Sequence, residues 1–413
     1  MKICDLTFSY TETSGGIRRY IDQKRQYLLD QTDHEHVLII PGEEDTIVRE
    51  GRATTVTIAS PIIPGCAPYR YFYRPGKIKK ALEETNVDVI ELASFYACCP
   101  WAAFSYRDAR VKNGEPPCLI GGYFHTDIAD AYVGTPLRHA LVDGLGHWSE
   151  IISNLGLKIA DAAEAEAEDY FSRIFGKCDQ VYAATPAQIE RLKEYGIGDA
   201  ELIPLGVDLE CFHPDRADPD FRTELGVAPD EPLLIFAGRI DVEKHVPTLV
   251  ESLKTLRAGG TPAHLALIGE GPLKKELEDA AASIEGLHLL PFQQDPTALA
   301  RCLASADFYV TAGPHETFGL SVIEAQAAGL PVVGVEAGAL CERVNDRLGR
   351  LVPVDDHEAM AAAITQLLPR RQELSHNARQ HVEEHFSWDL CFSKLIACYE
   401  RGLSQPALSI GAA

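Results

Sequence analysis

The chain has 413 residues, 46% of them hydrophobic, which is enough apolar material for two cores and more than one core organises. Lysine and arginine number 38 against 61 aspartates and glutamates, and the formal charge of -23 repels phosphate backbones, so nucleic acid is not an expected partner. No apolar run approaches the ~20 residues that cross a bilayer, and the 11 cysteines have no CxxC spacing, which excludes a zinc ribbon and fits reduced, buried thiols in a cytoplasmic protein.

The N-terminus, "MKICDLTFSY", reads as a first strand, since it lacks the basic start and apolar run of a signal peptide. "SGGIRRY" follows, with Gly15 and Gly16 as turn punctuation before a helix. "HVLII", "TTVTI", "VDVIEL" and "PCLIGGYFH" are further short β-branched runs, most of them separated by amphipathic stretches; this alternation predicts a parallel sheet flanked by helices. "RYFYRPGKIKK" gathers Arg70, Arg74, Lys77, Lys79 and Lys80, either a face for an anionic lipid or acceptor, and hence for peripheral membrane contact, or a solvated loop and helix start. After His125 the chain turns helical, and Asp161, Glu164 and Glu168 at spacings of three and four read as a wet helix face rather than a metal site.

The stretch "DAELIPLGVDLECFHPDRADPD" is rich in proline and aspartate, and beyond it the alternation restarts with "LLIFAGR", "HLALIG", "LHLLPF", "ADFYVTA" and "LPVVGV". Two Rossmann-like α/β domains follow, residues 1–205 and 206–387, with a helical segment 388–413 that crosses back to the first. The triplet "DPD" at 218–220 falls in the interdomain stretch and is read as a loop.

Chemistry concentrates in the second domain. In "PHETFGLSVIEAQAAGLP" a short helix starts near Phe318, Gly319 and Leu320 and stops at Gly329. Gly319 lets a ligand approach the backbone, where the unpaired N–H groups of the first turn make an anion site. Glu316 lies before that site and Glu324 inside the helix; acids beside an anion suit the hydroxyls of sugars on either side of a diphosphate, which describes a nucleotide sugar. In "FAGRIDVEKH", Gly238 and Arg239 follow a strand and Lys244 precedes the next helix, so both cations stand where open α/β sheets bind ligands. They can neutralise a departing diphosphate through charge-assisted hydrogen bonds. The bland alternative pairs Arg239 with Asp241 or Glu243 on the surface.

With these residues in view, the chain resembles the retaining family 4 glycosyltransferases of the GT-B fold. The likeness runs through "SGGIRRY", "FHTD", "IPLGVD", "AGRIDVEK", "LIGEGP", "HETFGLSVIEA" and "FSWD", and its specific part is the pair of glutamates around Phe-Gly-Leu. The resemblance implies two Rossmann-like domains facing each other across a cleft, and transfer of a hexose from a UDP- or GDP-sugar to a hydroxyl acceptor with retention and without metal or other cofactor. It implies that Arg239 and Lys244 hold the diphosphate, that Glu316 contacts the transferred sugar and that Glu324 binds the ribose. It also implies that Gly15 and Gly16 approach donor and acceptor from the first domain, that His125 lies near the sugar, and that Phe292 and Gln293 border the base. One departure stands out: His245 follows Lys244 where the family commonly has glycine.

Other readings compete. A glycoside hydrolase also uses two carboxylates, but ~5 to 9.5 Å apart across one bond. "HVEEH", with His381, Glu384 and His385, matches an inverted zinc-protease pattern without a third ligand. "LIGEGPLKK" has Gly269 and Gly271 but Lys274 where a dinucleotide fingerprint needs its third glycine. A nucleotide-sugar epimerase or a non-catalytic sugar-nucleotide sensor on the same fold completes the alternatives.

Overall fold

The computed structural model describes all residues except 12–14, 65 and 66, 95–97, 126–136, 138–149, 282 and 405–413; for 150–155 it describes the backbone alone. Contacts divide the chain into two units, Met1–Pro204 joined by the stretch from Phe392 onward, and Leu205–Cys391.

The first unit is built on eight strands: β1 (Lys2–Leu6), β2 (Glu35–Gly42), β3 (Thr46–Glu50), β4 (Ala53–Ala59), β5 (Val89–Leu92), β6 (Leu119–Phe124), β7 (Gln180–Ala183) and β8 (Glu201–Leu202). Their order is β3-β4-β2-β1-β5-β6-β7-β8. β5 and β6 are buried along their whole length, the pattern expected of strands covered on both faces by helices. The prediction of parallel pairing holds except at β3, which runs antiparallel to β4 as an edge hairpin. All five residues of β3 are exposed, so it lacks the apolar run that marked the other strands. β7 and β8 were also not anticipated; β8 is two residues long and lies in what reads as the interdomain stretch.

The second unit carries β9 (Leu233–Ala237), β10 (His264–Ile268), β11 (Leu287–Leu290), β12 (Phe308–Val310), β13 (Val332–Val335) and β14 (Gly349–Val352), all parallel, in the order β11-β10-β9-β12-β13-β14. That is the doubly wound arrangement, with its reversal between β9 and β12. The "DPD" triplet is not a loop. Asp218 caps the helix Pro219–Glu224 by accepting from the Asp220 N–H, and Pro219 occupies the first turn, where its missing N–H costs nothing. Among the described residues no helix is long and apolar enough to cross a membrane.

The interior of the first unit holds an ionic network. Lys24, on the helix Gly16–Gln31, donates to Asp5 of β1 at 2.6 Å and lies 2.9 Å from Glu91 of β5; all three are buried. His36 of β2 bonds the other Asp5 oxygen at 2.7 Å while its Nδ1 accepts from Arg25 at 2.8 Å, which fixes the neutral tautomer with Nε2–H donating. Burial alone would raise the Asp5 pKa, but Lys24 and His36 outweigh it and hold the carboxyl at about 2. Tyr20 donates to Glu91 at 3.1 Å, and Tyr399, on the helix Trp388–Ser404, donates to the same oxygen. The last helix is thereby tied to the sheet that the first residues began. Removing one partner of a buried ionic set leaves a charge uncompensated, so Lys24→Met should destabilise the protein by about 3 to 5 kcal/mol in urea unfolding; a loss below about 1 kcal/mol would mean that the network is not ionised.

Candidate functional site

In a doubly wound sheet the crevice for a ligand opens at the carboxyl ends of the two strands where the order reverses. In the second unit these are β9 and β12. Gly238 and Arg239 leave β9, and the segment reaching Glu316 leaves β12, so the fold itself brings together the two motifs singled out by their chemistry.

Lys244 and Glu316 meet directly. The ammonium donates to Oε1 at 2.6 Å, with the two side chains 21% and 17% exposed. Arg239 has other partners: its side chain is 70% exposed, and its Nε donates to Asp241 at 2.7 Å while a terminal nitrogen reaches Asp241 and Glu243. The surface pairing considered for this arginine is therefore present. Asp241 is buried, and its second oxygen accepts the Lys244 backbone N–H at 3.0 Å, so one carboxylate both aims Arg239 and closes the turn that presents Lys244. The sequence offers Asp241 only as a surface partner of Arg239; that it is buried and closes the turn before Lys244 shows in the fold alone.

The glycines of "LIGEGP" serve this loop rather than a dinucleotide. A Cβ on Gly271 would stand 2.2 Å from the Ile240 carbonyl oxygen, and Ile240 N–H donates to Glu270 O at 2.9 Å. The loop after β10 is thus pressed against the backbone that carries Arg239. Opposite, Ala339 N–H donates to the Glu316 carbonyl at 2.9 Å and fixes the segment before the helix Leu320–Ala327.

That helix begins as anticipated. Gly319 is its N-cap at φ 81°, a left-handed conformation that costs other residues about 1 to 2 kcal/mol. Among the described residues, no protein acceptor takes the N–H of Gly319, Leu320 or Ser321. Phe318 is buried behind the turn, and Glu324 is buried in the helix at 5% exposure. Phe292 lies beyond β11 and is 61% exposed, a large aromatic face available for stacking.

Gly15, Gly16 and His125 belong to the first unit. Gly15 is the N-cap of the helix Gly16–Gln31, and no atom of the described residues lies within 4 Å of the place of its absent Cβ. His125 leaves β6, stacks on Tyr123 at 4.2 Å between centroids and meets the edge of Tyr20; its Nε2 is buried with no partner among the described residues. Burial, then the nearby Lys24 charge, push its pKa down to about 3. Part of "FHTD" and part of the helical stretch after it lie outside the described residues.

Several remaining candidates resolve into structure. Of the basic cluster, Arg70 pairs with Glu43 at 2.7 Å, Lys77 with Asp45, Lys79 with Glu83 at 3.6 Å and Lys80 with Glu84 at 3.5 Å, so its charge is largely balanced by neighbouring acids. Glu168 pairs with Arg191, and Asp161 is exposed, as a wet helix face requires. His381 and His385 lie on one helix with their rings 4.6 Å apart and tilted, and no group of three metal-ligating side chains exists among the described residues. A cavity of about 600 Å³ opens at the amino ends of the strands of the second sheet, lined by Arg222, Asp307 and Arg371, but there the acid already binds both arginines. Cys341 is exposed, against the expectation that the thiols are buried.

Two family models match: "Glycosyltransferase Family 4" over residues 14–211 and "Glycosyl transferases group 1" over residues 218–385. The chain is similar to a GDP-mannose-dependent alpha-(1-6)-phosphatidylinositol dimannoside mannosyltransferase of Mycobacterium tuberculosis, with 28% identity over 96% of this chain and 95% of that one. A GDP-mannose-dependent alpha-mannosyltransferase of Corynebacterium glutamicum is 26% identical over 97% and 88%. Among solved structures, the sucrose-phosphate synthase of Thermosynechococcus elongatus superposes with a TM-score of 0.71 at 19% identity, covering 97% of this chain and 98% of the other. That likeness establishes the fold.

His245, where glycine would be usual, adopts φ 49° as a glycine would, and its Nδ1 bonds Asp355 at 2.6 Å. Strain and bond offset each other, so His245→Gly should change stability by less than about 1 kcal/mol and leave turnover within a few-fold of native; a collapse of turnover would show that the imidazole itself acts. His125 stays neutral far below its ordinary range, so over about pH 5 to 8 the rate profiles of native protein and His125→Asn should differ in height and share one shape. A limb present only in the native profile would contradict that.

Proposed function

The chain belongs to the family 4 glycosyltransferases of the GT-B fold, and on that footing we propose that it is a retaining, metal-independent hexosyltransferase that uses GDP-mannose and a hydroxyl acceptor. The Lys244–Glu316 pair at the carboxyl ends of β9 and β12, beside the open N–H groups at Gly319, carries this reading. GDP-mannose is favoured over a UDP-sugar because relatives similar along nearly the whole chain are named for it. We place the protein in the cytoplasm, where its free cysteines remain reduced.

In the proposed reaction the donor diphosphate takes over Lys244 and Arg239 from their carboxylates and rests on the N–H groups of the helix Leu320–Ala327. Glu316, released, accepts a hydroxyl of the transferred sugar; Glu324 accepts from the ribose; Phe292 stacks on the base. As the bond from the anomeric carbon to the phosphate oxygen lengthens, negative charge grows on the leaving group, where fixed cations and dipoles stabilise it without rearranging. The acceptor oxygen bonds the anomeric carbon on the face the diphosphate leaves, and its proton passes to the departing phosphate oxygen, so configuration is retained without a protein nucleophile.

Metal independence rests on the same cations. The only Asp-x-Asp triplet, at 218–220, is committed elsewhere, with Asp218 capping a helix and forming an ion pair with Arg301 at 2.6 Å. Transfer should therefore persist in EDTA; activity that vanishes there and returns with a divalent ion would overturn this part. Lys244→Ala should lower kcat/KM for GDP-mannose by about 10²- to 10³-fold, the usual cost of removing one group that stabilises developing charge. Turnover within threefold of native would take Lys244 out of the reaction.

A further inference from the structure

Behind the Phe318–Gly319 turn lies a charge to which the proposed reaction gives no work. Arg343 ends the short helix Leu340–Arg343 and is only 4% exposed. Its guanidinium sits between two rings, 4.3 Å from the centroid of Phe318 and 4.7 Å from that of Phe386. Nε donates to the Phe318 carbonyl at 3.0 Å, while Nη2 is buried with no hydrogen-bond partner among the described residues. The neighbouring Glu342 stands at 3.7 Å, too far for a hydrogen bond to Nη1. The backbone is clamped as well, since Gln326, inside the helix Leu320–Ala327, donates to the Arg343 carbonyl at 2.9 Å.

If this side chain only filled space, an apolar residue of similar volume would do so without the cost of taking an ion out of water. Two aromatic faces recover part of that cost. The placement supplies a further reason. The Phe318 carbonyl and the Gly319 N–H belong to one planar trans peptide and point in opposite directions. By holding the carbonyl, Arg343 keeps that oxygen away from the ligand side and aims the Gly319 N–H outward, where no acceptor among the described residues takes it. Its Cγ lies 3.9 Å from the place a Gly319 Cβ would occupy, so an incompletely neutralised cation stands directly behind the first turn of the anion-binding helix.

We propose that Arg343 is a positioning residue of the donor site: a buried cation that orients the Phe318–Gly319 peptide and strengthens binding of a nucleoside diphosphate at the helix start. The inference rests on the reading of that helix as the diphosphate site. Its signature is a loss that grows with the number of phosphates on the ligand, which a purely structural role would not produce.

The experiment titrates guanosine, GMP and GDP against native protein, Arg343→Met and Arg343→Lys by calorimetry, with melting curves for each. Arg343→Met should melt close to native, lose about tenfold in GDP affinity, lose less for GMP, and bind guanosine as native does. Arg343→Lys, which keeps the charge, should lie between the two. GDP affinity unchanged in Arg343→Met, or an equal loss for all three ligands, would overturn the proposal. Should Arg343→Met fail to fold, the comparison of GDP with GMP in Arg343→Lys decides in the same way. Native protein that binds neither GDP nor UDP would remove the donor-site reading and this inference with it, whereas native binding with an unchanged variant removes the inference alone.

Discussion

Lys244 and Glu316 hold each other at 2.6 Å in a partly buried setting, and most of the proposed donor site can be understood from what that contact must allow. An ammonium kept ready for a diphosphate cannot be left without a counterion where water is scarce, because the cost of a lone desolvated charge exceeds that of a paired one. Glu316 answers this until a ligand arrives. A diphosphate brings its own charge, so exchange of partners at Lys244 keeps the local charge balanced and frees a carboxylate whose lone pairs suit a sugar hydroxyl. Arg239 follows the same logic at lower stakes, since at 70% exposure water screens it whether or not Asp241 and Glu243 are near.

Such an exchange requires the carboxylates and cations to start from fixed positions, and here the backbone does the fixing. Asp241 closes the turn before Lys244, Gly271 admits the Ile240 carbonyl at a distance no side chain would permit, and Ala339 anchors the Glu316 peptide. These contacts join the loops after β9, β10, β12 and β13, so four strand ends in one sheet set the geometry of two charges. Misplacement by an ångström is costly in transfer chemistry, which is why the site is held by main-chain contacts rather than by long side chains alone.

How far this was legible in the sequence depends on how local each signal is. The doubly wound halves, the helix after Gly319 and the two glutamates were readable because apolar runs, a capping glycine and a fixed spacing all act over a few residues. β3 was not, since an exposed edge strand lacks the apolar run, and β14, "GRLV", is too short to stand out from its polar surroundings. Asp218 looked like a loop residue because the same Asp-Pro-Asp letters serve a loop or a helix cap, and the choice depends on whether the next residues continue as a helix. Lys24, Asp5 and Glu91 come from three elements up to 86 residues apart, and no pattern along the chain announces their meeting. Arg343 is the extreme case: one arginine in a polar stretch, whose burial between Phe318 and Phe386 is decided entirely by the fold.

The overall charge of -23 stands at odds, at first sight, with a site for a dianionic ligand. Screening resolves the conflict. At physiological ionic strength charges further apart than about 8 Å hardly feel each other through solvent, so the acidic surface governs solubility and approach rather than the energy at the helix start. Inside the site the local charges are screened far less. Arg239 and Lys244 are both matched by acids in the free protein, which leaves the helix N–H groups and the incompletely matched Arg343 as the standing positive field. On the proposed reading an acidic enzyme holds an anion because its few incompletely compensated positive groups are buried where water and distant carboxylates weaken them little, as Arg343 is behind Gly319.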